Sequence, residues 1–409
     1  MITRLYASNY KSIGEGLDLR LGPLTVLVGP NGSGKSNIID VLRFLHECVN
    51  NSLSDAVAKR LGVRGLSRWS PGKRHEIELA IECANDSGSG FWGFSFRANE
   101  DADERDPDAE IYYLRREFAS FVPSPEPAQG PQLNDFLRSK DGSDLANRFF
   151  SAKKWQNFYH ARSVIRPPMR DPFLAASAGL DLVLTSVSTM NGLSAELQRI
   201  AVYSLFPNTL RAAQNPNPVK PMMSSGDNWA STLKALNKRE WGAELSAALH
   251  KITGDIDDYR VVQAGGYVIP EFRHGKGRGG KGIWRGAAQE SDGTLRIAAM
   301  LTALFQEPAP ALIGFEEPEL AVHPGALPIL YDYLVEASKR SQIVITTHSP
   351  ELMDLFDIDC IRVVERKSGV TTVAAVEERQ RELVRKRLFS TSELLHAEGL
   401  RPEGSASDE

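Results

Sequence analysis

The sequence predicts an α/β fold in which a parallel sheet carries flanking helices, an antiparallel side sheet and an inserted helical lobe. Three observations predict it. The apolar run Leu24-Thr25-Val26-Leu27-Val28 passes directly into a glycine-rich loop and then into NIIDVLRFLHEC, whose Ile38, Val41, Leu42 and Leu45 share one helical face. In the last third, apolar strands and helical stretches alternate, a pattern that returns a chain to a parallel sheet. Between these ends, residues 76–83, 91–97 and 110–118 have the alternating or aromatic character of antiparallel strands.

In chain order, residues 5–13 and 17–28 are expected as strands, followed by a helix over 37–48. An acid-rich break at 99–110 and a proline-rich one at 122–132 interrupt and close the side sheet. From 133 to 255 the pattern is mainly helical, clearest in GLDLVLTSVSTMNGLSAELQRIAVYSLF and broken by three prolines within 215–221. Residues 259–272 and 282–285 read as strands around a glycine-lysine-arginine tip. The closing alternation is a helix over 292–305, a strand over 311–315, a helix over 324–338 and a strand over 342–346. The expected organisation is therefore an amino-terminal segment 1–120, a helical insert 121–256, a returning segment 257–390 and a tail 391–409. No repeat or sustained heptad interrupts this scheme.

At 409 residues, with 42% apolar and 24% charged residues, the chain can bury a substantial core. A formal charge of −4 argues against a uniformly basic nucleic-acid binder but leaves room for a local basic patch. Cys48, Cys83 and Cys360 stand far apart without CxxC spacing, which fits a reducing compartment and no zinc site. The start Met1-Ile2-Thr3-Arg4-Leu5-Tyr6 lacks an apolar signal core, and no apolar run reaches membrane-spanning length. The expectation is a cytoplasmic protein without a membrane partner.

Four motifs carry chemistry. Gly29-Pro30-Asn31-Gly32-Ser33-Gly34-Lys35-Ser36 fits GxxxxGK[ST] at every position. Its glycines let backbone N–H groups turn toward a triphosphate at a helix start, Lys35 adds charge near the β and γ phosphates, and Ser36 offers a hydroxyl to Mg²⁺. The second motif is the apolar strand Ala311-Leu312-Ile313-Gly314-Phe315 ending in Glu316-Glu317-Pro318-Glu319. There Glu316 can hold Mg²⁺ through water and Glu317 can orient or deprotonate an attacking water. Glu319 reads as a surface or helix-start carboxylate. In the third, an apolar strand ends in Thr347-His348-Ser349-Pro350, and His348 can hydrogen-bond a γ phosphate. The fourth, Ser291-Asp292-Gly293-Thr294, opens a helix with Ser291 as N-cap and Gly293 where backbone can approach an anion.

These motifs, in this order and with Asn9-Tyr10-Lys11-Ser12 before them and His323-Pro324 after the carboxylates, resemble those of ABC-type ATPase heads of the RecF, SMC and OLD-like group, especially its stand-alone bacterial members. The resemblance covers both ends of the chain and is weak between about 120 and 255. It implies a P-loop NTPase of ABC/SMC-head type that hydrolyses ATP with Mg²⁺. It also implies a homodimer with two ATP at the interface, where Ser291 and Gly293 of one copy close over the nucleotide held by Lys35 of the other. Two departures stand out. Glu316 replaces the usual aspartate, and no glutamine occurs between Ser36 and Gln129, so Ser70 or His75 is the nearest candidate to replace the Q-loop residue.

Residues 272–285 are basic and free of acid, with Lys276, Arg278 and Lys281 spaced by glycines and Trp284 available for stacking. Such a segment suits DNA or RNA phosphates, and equally a solvated hairpin tip. Two functions follow as expectations. One is ATP-dependent dimerisation acting in DNA repair, chromosome maintenance or anti-phage defence. The other is a regulatory scaffold whose nucleotide state controls a partner nuclease, toxin or other effector.

Overall fold

The structure is a computed structural model that describes residues 1–68, 76–86, 88–98, 112–123, 133, 162–166, 191–219, 221–236, 241–275 and 282–404. The chain forms two compact units, each assembled from separated segments. The first unit comprises Met1–Leu21, Gly32–Gln198 and Glu365–Val373; the second comprises Gly22–Asn31, Arg199–Val364 and Ala374–Glu409.

The first unit is built on a six-stranded antiparallel sheet. Its strands are β1 (Ile2–Ser8), β2 (Leu17–Arg20), β4 (Ile77–Asn85), β5 (Gly88–Ala98), β6 (Tyr112–Pro123) and β7 (Arg162–Arg166), in the order β2-β1-β4-β5-β6-β7. Helix α1 (Lys35–Asn50) buries Ile38, Val41, Leu42, Phe44 and Leu45. The Phe44 ring meets Tyr10 at 5.7 Å and stacks with Phe96 of β5 at 6.0 Å, in the offset and tilted arrangements aromatic rings favour. Three shorter helices complete the unit: α2 (Leu53–Ala58), α3 (Val63–Leu66) and α4 (Asn191–Gln198).

One charge lies deep in this packing. Asp40 of α1 accepts hydrogen bonds from the Tyr10 hydroxyl at 2.7 Å, Lys11 Nζ at 2.6 Å, and Arg60 Nε and Nη2 at 3.0 and 2.8 Å. Burial alone pushes its carboxyl upward, but these bonds, led by Arg60, hold it well below the usual carboxylate range. Arg60 also pairs with Glu47 and lies over the Phe44 ring. The segment after β1 that carries Tyr10 and Lys11 is thereby tied to the helix that follows the glycine loop.

In the second unit, five strands form a parallel array in the order β14-β3-β13-β12-β8. They are β3 (Leu24–Val28), β8 (Ile200–Tyr203), β12 (Leu312–Glu316), β13 (Gln342–Thr347) and β14 (Ile361–Lys367). Strand β15 (Val370–Ala375) continues the sheet order beyond β14, and the intervening tip joins the first unit. A three-stranded antiparallel sheet combines β9 (Ile256–Ala264), β10 (Tyr267–His274) and β11 (Ile283–Gly286). The helices are α5 (Pro207–Arg211), α6 (Trp229–Leu236), α7 (Trp241–Thr253), α8 (Asp292–Phe305), α9 (Leu327–Ala337), α10 (Pro350–Met353), α11 (Glu378–Arg385) and α12 (Thr391–Ala397). From Ile297 to Phe305 every residue of α8 is buried, as befits a helix enclosed on all sides. Trp229 Nε1 donates to Thr302 Oγ1 on it at 3.0 Å.

Several elements differ from expectation. RIAVYSLF, read as the end of a helix, contains β8 instead: Ile200, Ala201, Val202 and Tyr203 are all buried and pair with β12. Residues 17–28 are two strands, because the chain leaves one sheet at Arg20 and enters another at Leu24, with Pro23 lacking an N–H between them. The hairpin of β14 and β15 was not anticipated. Part of the tail is the helix α12, opened by a capping box in which Ser390 and Glu393 satisfy each other's backbone amides. Of residues 133–190, expected to be helical, only 133 and the strand β7 are described; the rest, like 405–409, lie outside the described residues.

Candidate functional site

The glycine loop leaves β3 at Val28 and ends where Lys35 and Ser36 open α1. Gly34 has φ +105°, a left-handed conformation that disfavours any side chain, and a Cβ there would fall on the Thr371 hydroxyl. Thr371 belongs to a small buttress behind the loop. Its hydroxyl donates to the Ser33 carbonyl at 2.7 Å, and its N–H donates to the Ser12 carbonyl at 2.8 Å. The Ser12 hydroxyl lies 2.7 Å from that of Thr371 and accepts from Asn37 Nδ2 at 2.6 Å. The Asn9-Tyr10-Lys11-Ser12 segment therefore braces the loop as well as α1.

The front of the loop is different. Pro30, Asn31, Gly32 and Ser36 are exposed, and the space beside Gly32 (φ +77°) is open. Ser33 Oγ is buried without a hydrogen-bond partner, and α1 begins without a side-chain cap. An uncapped start on a 16-residue helix, beside an orphaned hydroxyl, is an environment that favours an anion.

Within the second unit, register brings three strand ends together. Thr347 of β13 pairs with Val28 of β3, and Thr346 pairs with Glu316 of β12. The start of the loop at Gly29, the Thr347-His348 pair and the Glu316-Glu317 pair thus emerge side by side at the carboxyl edge of one parallel sheet. Ligand sites in open α/β sheets gather at this edge.

Glu316 accepts a hydrogen bond from Ser204 Oγ at 3.2 Å. Glu317 has φ +47°, unusual for a residue with a long side chain. Its N–H donates to the Thr346 carbonyl at 3.0 Å, and its carbonyl accepts from Leu320 N and Arg296 Nη2, both at 3.1 Å. That pinned backbone leaves Glu317 Oε1 3.4 Å from His348 Nδ1, with both side chains partly open to solvent. Glu319 is not the surface carboxylate expected. Its side chain is 9% exposed because Oε1 turns inward to accept from Thr347 Oγ1 at 2.6 Å and from the His348 N–H at 3.3 Å. Its Oε2 is buried with no hydrogen-bond partner.

The segment Ser291 to Gly293 lies in the same unit. Ser291 caps α8 by accepting from the Thr294 N–H at 3.1 Å. Gly293 sits so close to the loop after β12 that a Cβ would fall on the Ala321 carbonyl. One turn on, Arg296 is half-buried, and burial pushes its guanidinium pKa down against the pull of Glu319, Glu317 and Asp292. Sequence reasoning missed Arg296, Asp40 and Thr371, and took Glu319 for a surface or helix-start carboxylate. Only Arg296 left a trace, since a position three beyond Gly293 shares its helical face.

Lys276, Arg278 and Lys281 lie outside the described residues, as do Ser70 and His75, the candidates to replace the Q-loop glutamine. Trp284 is described, and the Arg260 guanidinium already covers its ring at 4.2 Å. That contact competes with the base stacking expected of this tryptophan.

Among the described residues, no group of three or more His, Cys, Asp or Glu side chains gathers to hold a metal ion alone. Mg²⁺ needs no such cluster, because it keeps several waters and leans on phosphate oxygens. No helix among the described residues is long and apolar enough to cross a membrane.

A parallel sheet bearing a glycine loop, joined to an antiparallel sheet in a mixed α/β chain, is the P-loop NTPase fold of SMC heads. The structure of an Smc head bound to the C-winged helix domain of ScpA matches with TM-score 0.50 at 16% identity, covering 93% of this chain and 99% of that one. Residues 24–354 match the family described as "AAA domain, putative AbiEii toxin, Type IV TA system", and the chain belongs to that family. The chromosome partition protein Smc of Delftia acidovorans (strain DSM 14801 / SPH-1) is 34% identical over 88 residues, 21% of this chain and 8% of that protein. Its counterpart in Burkholderia pseudomallei (strain 1710b) is 37% identical over 73 residues, 18% of this chain and 6% of that protein. The chain thus spans only a small fraction of the curated relatives it matches. The fold supports nucleotide binding and hydrolysis.

Proposed function

We propose that this chain binds ATP with Mg²⁺, hydrolyses it, and closes as a homodimer around two nucleotides. The observation that carries the reading is the shared carboxyl edge, where the loop start, Glu316, Glu317 and His348 emerge from adjacent strands. In this reading the backbone of Gly29, Pro30, Asn31, Gly32, Ser33 and Gly34 surrounds the phosphates, and Lys35 neutralises charge toward the β and γ positions. Ser36 and Glu316 hold Mg²⁺, which when bound offsets charge developing on the phosphate oxygens. Glu317 takes the proton of the attacking water, and His348 steadies Glu317 and the γ phosphate. Ser291 and Gly293 complete the site of the second copy across a two-fold interface.

The cycle of closing on ATP and reopening after hydrolysis would act on DNA, in repair, chromosome maintenance or defence against foreign DNA. The family's description names a type IV toxin–antitoxin system, which motivates a second reading, in which the nucleotide state controls a partner effector. Sedimentation of the Glu317→Gln protein with ATP and Mg²⁺ tests the common core. Trapped dimers are expected, and monomers alone would overturn the closure. Turnover measured with and without single- and double-stranded DNA separates the readings: stimulation supports action on DNA, and indifference to both supports the partner effector.

A further inference from the structure

We propose that Arg296 is a positioning residue acting within its own chain, linking the start of α8 to the backbone of Glu317. The proposal rests on the reading of Glu317 as the base. It adds that the helix carrying Ser291 and Gly293, which would touch the second copy's nucleotide, also sets the geometry of the base in its own copy.

Three observations carry it. Glu317 is held at φ +47°, and the bond from Arg296 Nη2 to its carbonyl at 3.1 Å is one of the contacts that fix it there. Gly293 has no space between itself and the Ala321 carbonyl, so the first turn of α8 and residues 317–321 abut and shift together. Arg296 Nε and Glu319 Oε2 are both buried and both lack a hydrogen-bond partner, although Glu319 is the carboxylate that acts most strongly on Arg296. One nitrogen of the cation and one oxygen of the anion, each without a partner inside one cluster, leave a bond unmade. A turn of the Arg296 side chain that made that bond would draw on Glu319, which already holds Thr347 Oγ1 and the His348 N–H. Contact made at Ser291 and Gly293 would thus reach Glu317 through Arg296, and His348 through Glu319.

The test compares Arg296→Ala and Arg296→Lys with the wild type in the full chain. For Arg296→Ala, kcat should fall about a hundredfold while ATP affinity, measured by equilibrium titration, stays within about twofold. Arg296→Lys, which keeps the charge but lacks the planar guanidinium that reaches the Glu317 carbonyl, should recover only part of the loss. A second readout needs no hydrolysis. In nitrogen-15 spectra of the ligand-free protein, the His348 ring signal, assigned with His348→Gln, should move in Arg296→Ala. An unmoved His348 signal, or a loss confined to ATP affinity with kcat intact, overturns the proposal. Failure of the wild type itself to hydrolyse ATP would instead remove the underlying reading and is visible in the control alone.

Discussion

Replacing Asp40 with Asn tests the buried charge network that ties α1 to the segment following β1. The substitution keeps shape but removes the charge that faces Arg60, whose side chain is only 9% exposed, and Lys11 at 28%. Removing one partner of a buried pair costs about 3–5 kcal/mol. Glu47 still holds Arg60 Nη1, and Lys11 can turn to water, so the expected loss lies at the low end, about 3 kcal/mol. The pH dependence has a definite sign. Asp40 has a depressed pKa in the folded chain, so its stabilisation is complete above the unfolded value of about 4 and is lost as pH falls toward the folded value. The gap between wild type and Asp40→Asn should therefore shrink by about 1 kcal/mol between pH 5 and pH 3. Because the chain has two units, urea unfolding is best followed by hydrogen exchange of the α1 amides rather than by one global signal. A neutral-pH loss under about 1 kcal/mol, or a gap that ignores pH across that window, would refute the network as the device that seats α1.

Gly34→Ala should weaken ATP binding at least about tenfold in equilibrium titration, since a side chain at φ +105° is strained and strikes Thr371 as well. Thr371→Val keeps the volume but removes the hydroxyl contacts to Ser33 and Ser12, at about 1 kcal/mol each, and should raise hydrogen exchange in the glycine loop. Gly293→Ala should destabilise the second unit by about 1–3 kcal/mol in urea unfolding, because the Ala321 carbonyl must move. If Gly293→Ala proves as stable as wild type, α8 and the Glu317 loop are not packed as described.

The parallel sheet was legible wherever an apolar run ended in a functional motif. Residues 24–28, 312–316 and 342–347 announced themselves because strands buried on both faces are short, continuous and apolar, and glycine, glutamate or histidine closed each one. The same lack of period hid β8. IAVY follows a helical stretch and has nothing local to mark the switch, and only pairing with β12 makes it a strand. The interleaving of the units was invisible for a related reason. Nothing in the eight residues from Gly29 to Ser36 says that the division between units passes after Asn31. Within the site, Lys35, Ser36, Glu316, Glu317 and His348 could be picked out because their chemistry is tied to spacing. Glu319 and Arg296 could not, since the burial that distinguishes them from ordinary surface charges arises only when α8 meets the turn after β12. Asp40 likewise looks like a polar residue on an amphipathic helix until Arg60, twenty positions away, folds back over it.

The central claim is that the loop from Gly29 to Ser36 binds a nucleotide which Glu317 helps to hydrolyse. Equilibrium ATP binding and turnover, measured together on wild type, Lys35→Ala and Glu317→Gln with Mg²⁺, test it most directly. Wild type should bind and hydrolyse, Glu317→Gln should bind with turnover near background, and Lys35→Ala should lose binding. A Lys35→Ala protein that bound and hydrolysed ATP like the wild type would contradict the account.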